Sequence, residues 1–255
     1  FPKIAECIFS NNYASWGGGA ISEYESSSAV VNCTFFKNDA DNRGGAFFNL
    51  HSSSTITNCT FANNAAPIGG AITNEDASPI ITNCILWQDV ADSSQEIWNA
   101  FSSNPTISCC NIDQDGFAGS DKNIRQDPLF VDPENGDFRL QVNSPSIDTG
   151  TDSAAQLSNG DFDGGPRVLD GDGDGTAVVD MGAYEYSDDV RLFTPDEREV
   201  LPAGSICTVR WAAPIEATSF KLKCSMDNGE TWETIADGIS EKSYQWDVPT
   251  PRNDL

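Results

Sequence analysis

The chain is poor in basic residues. Its 255 residues contain 14 Lys and Arg against 39 Asp and Glu, which gives a net charge of −25, and they contain a single histidine. So negative a field repels the phosphates of nucleic acid and anionic membrane surfaces, so neither is expected as a partner. The chain also has no run of 18 apolar residues, which excludes a membrane-spanning helix within it.

The sequence lacks long stretches of helical periodicity as well. No segment of ten or more residues shows it, so repeats built from helices are disfavoured. Short apolar runs are present instead, such as residues 30–36 and 45–48, and Asn, Asp, Ser and Gly bound them. Runs of this length, rich in Val, Ile, Thr and Phe, predict short β-strands.

One sequence unit repeats through residues 1–112. A column of cysteines marks it and advances by 26, 26, 25 and 26 residues: Cys7, Cys33, Cys59, Cys84 and Cys110. A Gly-Gly-Ala triplet follows each of the first three cysteines. A fixed period in this range is typical of solenoids. A turn of about 25 residues with two or three short strands predicts one coil of a parallel β-helix, which we take to be right-handed and single-stranded.

Stacked coils place equivalent residues in columns about 4.8 Å apart. Because strand side chains alternate, each cysteine and the residue two positions later share one face, which we place inward. Five residues after each cysteine stand Asn12, Asn38, Asn64, Asp89 and Asp115. This column predicts a hydrogen-bonded stack at a corner of the coil. The Gly-Gly pairs predict a second corner, where φ is positive or backbones crowd.

The repeat resembles a known class. Phe61-Ala62-Asn63-Asn64 with Gly69-Gly70-Ala71-Ile72 is similar to the "FxxN" and "GGA[IL]" repeats of bacterial polymorphic outer-membrane proteins. The resemblance implies an all-β fold, a β-helix of the pectin-lyase-like type.

Residues 113–186 are irregular and rich in Asp. Asp127-Pro128-Leu129-Phe130-Val131-Asp132-Pro133, Ser144-Pro145-Ser146-Ile147-Asp148-Thr149-Gly150 and Asp180-Met181-Gly182-Ala183-Tyr184 occur in this order. They resemble the C-terminal region of bacterial choice-of-anchor Q domain proteins. That resemblance implies an exported protein whose β-helix ends in irregular coils.

Residues 187–255 change character again, to short alternating strands that predict a β-sandwich. Ser225-Met226-Asp227-Asn228-Gly229-Glu230-Thr231-Trp232 resembles the "S-x-D-x-G-x-x-W" pattern of bacterial immunoglobulin-like modules. Such a module needs one or two more strands, so we expect this one to be truncated and the chain to belong to a longer protein.

The sharpest local pattern for a metal is Asp170-Gly171-Asp172-Gly173-Asp174-Gly175. Carboxylates at positions 1, 3 and 5 with Gly at 6 are typical of Ca²⁺ loops. Met181 stands where an EF-hand has its bidentate Glu, so this loop is not an EF-hand. We predict a calcium-stabilised loop completed by carboxylates from a set of three: Asp161, Asp163 and Asp180. The alternative is a solvated acidic turn.

A second column is a candidate for binding. Glu23, Asn49, Asn74 and Asn99 recur at equivalent places, and Trp98 stands beside the last of them. The column could line a glycan-binding groove on one face of the helix. The alternative is a second structural asparagine stack.

The cysteines leave two possibilities open. Thiols at one place in successive coils act as small buried apolar groups, which predicts a reduced column. Neighbouring coils also bring cysteines close enough for one stacked pair to be oxidised.

Catalysis has little support in this sequence. Lyases with this fold need a base beside acidic residues that hold Ca²⁺, and the coils contain only four basic candidates: Lys3, Lys37, Arg43 and His51. None lies within an acidic column. We predict a non-catalytic, adhesin-like scaffold, extracellular or on the bacterial cell surface, that binds polysaccharide, a matrix component or copies of itself. The alternatives are a polysaccharide lyase or glycoside hydrolase, and a structural subunit of an extracellular assembly.

Overall fold

Three parallel sheets run through the first part of the chain. The computed structural model describes residues 2–188, 190–195, 200–214, 217–227 and 229–250. Contacts divide the chain into two units, Phe1–Tyr186 and Ser187–Leu255. The first unit is a parallel β-solenoid of about four turns, as the 26-residue period predicts.

Each of the first four coils contributes one strand to each sheet, and the fifth contributes to the first two. The first sheet contains β1 (Lys3–Ala5), β5 (Ala29–Val31), β9 (Thr55–Thr57), β12 (Ile80–Thr82) and β15 (Thr106–Ser108). The second contains β2 (Ile8–Ser10), β6 (Thr34–Phe36), β10 (Thr60–Ala62), β13 (Ile85–Trp87) and β16 (Asn111–Ile112). The third contains β4 (Ile21–Tyr24), β8 (Phe47–Leu50), β11 (Ile72–Glu75) and β14 (Ile97–Ala100). A short pair, β3 (Tyr13–Ala14) and β7 (Asp39–Ala40), joins the first two coils.

The predicted inward face is confirmed. Equivalent residues pair in register, such as Phe35 with Phe61, whose rings stack with centroids 4.5 Å apart. The cysteines from Cys33 to Cys110 are fully buried in the same core. In this structure the column consists of thiols, and each of these cysteines places its Sγ against the backbone carbonyl two residues earlier.

Glycine pairs form one corner, as predicted. The first glycine of each pair has positive φ, for example +60° at Gly44. The second is needed for space, because a Cβ on Gly45 would lie 2.2 Å from the carbonyl oxygen of Gly70 in the next coil. The corner therefore accepts no side chain without separating two coils.

The predicted asparagine stack forms another corner. Asn38 donates both its backbone N–H and its Nδ2 to Oδ1 of Asn64, at 3.0 and 2.8 Å. The prediction is wrong at Asp115, whose side chain is 99% exposed and pairs with Arg125. The chain leaves the coil path after β16, so Asp115 never reaches the column.

The segment after residue 112 differs from the irregular closing coils that its resemblance implies. One partial coil follows, in which Ile124 bridges to Asn111 and Phe117 covers the core. The chain then turns back along the outside of the solenoid. Successive tail residues reach successively earlier coils: Ser146 contacts Asn111, Thr151 contacts Asn83, Ala155 contacts Thr57 and Gly160 contacts Asn32.

A second hydrophobic core fixes this tail. It lies on the outer face of the second sheet, where Phe36, Ala62 and Ile85 point away from the solenoid interior. The tail contributes β17 (Phe130–Asp132), a 3-10 turn (Pro133–Asn135) and β18 (Asp137–Leu140), with Ile147 and Met181. Burial of these side chains holds the tail in place.

The second unit consists of two antiparallel sheets. One contains β19 (Arg191–Thr194), β20 (Ile206–Ala212) and β23 (Ser243–Asp247), and the other pairs β21 (Phe220–Cys224) with β22 (Glu233–Ile239). They share a small apolar cluster that includes Trp211 and Phe220. The predicted strands are present, and the immunoglobulin-like assignment stays a prediction. Part of its motif, at Asn228, lies outside the described residues.

Candidate functional site

The Asp-Gly loop is held in shape by its own carboxylates. Asp170 accepts the backbone N–H of Gly173 at 2.8 Å and of Gly175 at 3.0 Å. Asp172 accepts that of Asp174 at 3.0 Å. Each bond turns the backbone toward an acidic side chain, so the loop presents several oxygens on one side.

The structure adds Asp148 to this loop. Its Oδ2 accepts the backbone N–H groups of Gly171 and Asp172 at 2.9 and 2.8 Å. One carboxylate oxygen each of Asp148, Asp170 and Asp172 lies within 4.8 Å of the others. Oδ1 of Asp148 is buried and has no hydrogen-bond partner among the described residues, and desolvation raises the pKa of this carboxyl. A divalent cation would relieve both the orphaned oxygen and the crowding of three charges.

The other predicted metal ligands lie elsewhere. Asp174 accepts the backbone N–H of Thr176, and Asp163 is exposed. Asp180 is buried, with both carboxylate oxygens accepting backbone N–H groups, and desolvation raises its pKa to about 7. Asp161 is buried in the same way, with a pKa of about 6. These two carboxylates therefore serve the backbone of the tail.

A buried arginine, which the sequence did not reveal, holds this part of the tail together. Arg167 is fully buried and donates to the carbonyl oxygens of Ala183 and Gly182. Its Nε lies 3.6 Å from the carboxylate of Glu185, which is also buried. Glu185 in turn accepts the backbone N–H of Asp180. The only sequence signal for this role was one basic residue in a strongly acidic segment.

The column proposed as a glycan groove is an internal ladder. Asn49 donates to Asn74 at 2.9 Å, and Asn74 donates to Asn99 at 2.8 Å. Glu23, at the other end, accepts from the hydroxyls of Ser28 and Ser54. The first three members of the column, Glu23, Asn49 and Asn74, are buried. Their polar atoms serve the column itself, and Asn99 is the exposed member.

The outer face of the third sheet carries a different cluster, which we call the Arg43 cluster: Trp16, Arg43, Phe48 and Glu75. The guanidinium of Arg43 lies 5.2 Å from the ring centroid of Trp16 and 5.8 Å from that of Phe48. It also makes a salt bridge to the buried carboxylate of Glu75 in the next coil. The sequence places Arg43 in no acidic column, and the structure pairs it with a single acidic residue from another coil. Glu75 is 32 residues away, beyond the reach of local sequence patterns.

The Arg43 cluster is continuous with Trp98. Thr73 pairs with Phe48 on one side and with Trp98 on the other, so these three residues form one outward row across three coils. Trp16 is 59% exposed and Trp98 is half-buried. Together they give this face two aromatic rings and one neutralised ion pair on a rigid sheet.

Comparison with known proteins supports the repeat. The model of the Chlamydia polymorphic membrane protein repeat matches residues 6–22, which include the first cysteine, Cys7, and the Gly-Gly-Ala triplet that follows it. No curated protein and no solved structure matches the chain. Among the described residues, no helix is both long enough and apolar enough to span a membrane. The repeat and the solenoid together indicate a surface-associated β-helix protein.

Proposed function

We propose that this chain is a non-catalytic scaffold, displayed outside the cell or on the bacterial cell surface, that binds a polysaccharide through the Arg43 cluster and Trp98. The proposal rests on a difference between the inward and the outward side chains of the third sheet. Its inward amides bond to each other, as Asn49 does to Asn74. Its outward side carries exposed aromatic surface beside polar groups.

The chemistry of this face suits a sugar chain. The faces of tryptophan rings pack on apolar C–H surfaces, while carboxylates and amides hydrogen-bond hydroxyl groups. Trp16 is 59% exposed, and Arg43 and Glu75 supply the polar groups beside it. Glu75 has its charge matched by Arg43, so the face does not share the strong negative field of the whole chain. Because successive coils hold these groups, little order is lost on binding.

Calcium is the second part of the proposal. We expect Asp148, Asp170 and Asp172 to hold the ion, because one carboxylate oxygen of each lies within 4.8 Å of the others. This ligand set differs from the one expected from the sequence spacing alone. Asp148 precedes residues 151–160, which contact successive coils from Asn83 back to Asn32, and the other two aspartates follow them. The ion would therefore tie the two ends of this segment to each other.

The enzyme alternative has one observation in its favour. Arg43 and Glu75 pair on a rigid outer face, so a basic and an acidic group lie side by side, as the base chemistry of a polysaccharide lyase requires. A glycoside hydrolase would instead need two carboxyl groups. The binding function is favoured over it because Arg43 is held between two rings and a carboxylate, so its guanidinium has no free position from which to remove a proton.

The test is a panel of neutral and acidic polysaccharides measured for affinity and for newly formed chain ends. We expect binding without new ends, and a loss of at least tenfold in affinity for Trp16→Ala. The matched control is Trp232→Ala, since Trp232 in the second unit is also 59% exposed. New chain ends that vanish with Glu75→Gln would establish the enzyme instead. Equal affinity of both tryptophan variants would exclude this face.

A further inference from the structure

The asparagine ladder of the solenoid ends in two buried acids. At each step an asparagine donates its backbone N–H and its Nδ2 to Oδ1 in the next coil. Asn12 does so to Asn38 at 3.1 and 2.9 Å, and Asn64 does so to Asp89 at 2.6 and 2.7 Å. Asp89 is thus the acceptor in the fourth coil, where the three coils before it have an amide.

Glu96 takes the place of the amide that a fifth coil would supply. The backbone N–H of Asp89 donates to Oε1 of Glu96 at 3.3 Å, which repeats the backbone half of the ladder step. In the earlier coils the residue equivalent to Glu96 is the alanine of the Gly-Gly-Ala triplet: Ala20, Ala46 and Ala71. The fourth coil therefore has an acid at both of these positions, and the two side chains are within hydrogen-bonding reach of each other.

There are too few hydrogen-bond donors around Asp89 and Glu96 to satisfy two ionised carboxylates. Nδ2 of Asn64 also donates to the carbonyl oxygen of Phe35, and Asn38 does the same to Phe9. Asp89 has an oxygen where these residues have that NH₂ group. Asp89 is 1% and Glu96 is 0% exposed. Oδ2 of Asp89 and Oε2 of Glu96 are both buried without a hydrogen-bond partner among the described residues.

Among the residues that the structure describes, neither Asp89 nor Glu96 forms a salt bridge with a basic side chain. The charged group that acts on both acids is Asp113, which raises both pKa values and is itself paired with Arg125 at 3.0 Å. Desolvation is the largest cause of the shifts. It raises the pKa of Asp89 from 3.8 to about 6 and that of Glu96 well above its usual value.

We propose that Asp89 and Glu96 share one proton, and that this proton closes the ladder where the solenoid meets its C-terminal cap. The cap joins at the same residue, because Oε1 of Gln114 accepts the backbone N–H groups of Glu96 and Ile97, both at 2.9 Å. When the proton leaves to solvent, two bare carboxylates repel each other beneath the cap. The junction is then a pH-sensitive lock that is tight in acid and loosens as the pH rises.

The sign of the pH dependence follows from linkage. The folded protein keeps a proton that the unfolded chain loses near pH 4, so the folded state binds more protons and its stability falls as the pH rises. For Asp89 the fall begins near 3.8 and continues through about 6, and Glu96 extends it to higher pH. A shift of about two pH units corresponds to on the order of 100-fold in the folding constant.

Two measurements on the full chain test the proposal. The infrared difference spectrum between the wild type and Glu96→Gln at pH 6 should contain a protonated carboxyl band, which separates this pair from other buried acids such as Asp180. Amide hydrogen exchange at Asn64 and Asp89, whose N–H groups bond to the two acids, should speed up at least tenfold beyond its intrinsic pH dependence between pH 5 and pH 8. Asp89→Asn restores the amide of the earlier coils, and we expect it to abolish this extra acceleration at Asn64.

Asp92→Asn is the control, because it makes the same chemical change at an exposed position of the same coil. It should leave both readouts unchanged. If Asp89→Asn fails to fold, Glu96→Gln serves for both measurements. The proposal is overturned if the difference spectrum lacks a protonated carboxyl band, or if the Asp89 and Asp92 variants have equal pH dependence. It is also overturned if a chelator or a change of cation, rather than pH, controls the exchange.

Discussion

The coils and the tail that packs against them bury polar groups in opposite ways. In the coils a buried amide bonds to its own copy one turn later, as Asn38 does to Asn64. In the tail each buried group has a different partner. Arg167 bonds to the carbonyls of a distant turn, and Asp161 and Asp180 accept backbone N–H groups. The coils therefore repeat one hydrogen-bonding arrangement from turn to turn, whereas each buried polar group of the tail has an arrangement of its own.

This difference determines how much stability a single substitution is expected to cost in the coils and in the tail. A ladder that loses one member leaves the steps on either side with their own partners, and the cost stays near the gap. The tail depends on a few unique contacts, and a single buried charge left unpaired there has no neighbouring copy to replace it. We therefore expect substitutions in the tail to have the larger effects.

The largest effect is expected at Arg167. Arg167→Met removes a buried cation from among buried carboxylates, and it leaves Glu185 without its ion-pair partner and the carbonyls of Gly182 and Ala183 with one donor fewer. Loss of one partner from such a buried set costs about 3–5 kcal/mol in the free energy of unfolding. Urea unfolding followed by circular dichroism measures it.

Arg139→Met is the matched control, since Arg139 also lies in the tail but is 34% exposed and pairs with its neighbour Asp137. Its loss should cost about 0–1 kcal/mol. Equal losses for the two arginine variants would show that the tail does not depend on its buried cation.

The next effect is expected within the ladder. Asn64→Ala removes the acceptor of two buried N–H groups of Asn38, its backbone N–H and its Nδ2, and it removes the Nδ2 donor to Asp89 and to the carbonyl of Phe35. About two orphaned buried groups cost about 2–4 kcal/mol. Asn12→Ala, at the exposed end of the same ladder, should cost less than about 1 kcal/mol. If Asn12→Ala were as costly as Asn64→Ala, burial would not be what makes the ladder stabilising.

The smallest effect is expected from calcium. It tests whether the ligands are those expected from the Asp-Gly spacing in the sequence or the three carboxylates that lie together in the structure. At a concentration about 100 times its dissociation constant, an ion that binds only the folded state stabilises it by about 2.7 kcal/mol. Asp148→Asn should abolish the calcium-dependent rise in Tm, whereas Asp174→Asn should retain it, because Asp174 is outside the cluster of three carboxylates. The reverse result would restore the ligand set expected from the sequence spacing.

The outcome for the ladder shows where the repeat pattern stopped being informative. The sequence places Asp89 and Asp115 in one column, and the structure keeps Asp89 and replaces Asp115 with Glu96 from within the fourth coil. A regular period predicts each member from the one before it. It contains nothing about how the series ends, because the last coil has no successor to match.

What the amino-acid sequence determined by itself was the periodic part: the solenoid, the inward columns and the glycine corner at Gly44 and Gly45. These follow from the sequence because every coil must fit its neighbour about 4.8 Å away, so one rule applies at each period. Only the tertiary structure brought Asp148 to Asp170, Glu75 to Arg43 and Arg167 to Glu185. Each of these contacts occurs once, between residues whose separation in the sequence does not follow the repeat. The path of the chain after the last coil sets two of them, and the packing of neighbouring coils sets the contact between Arg43 and Glu75.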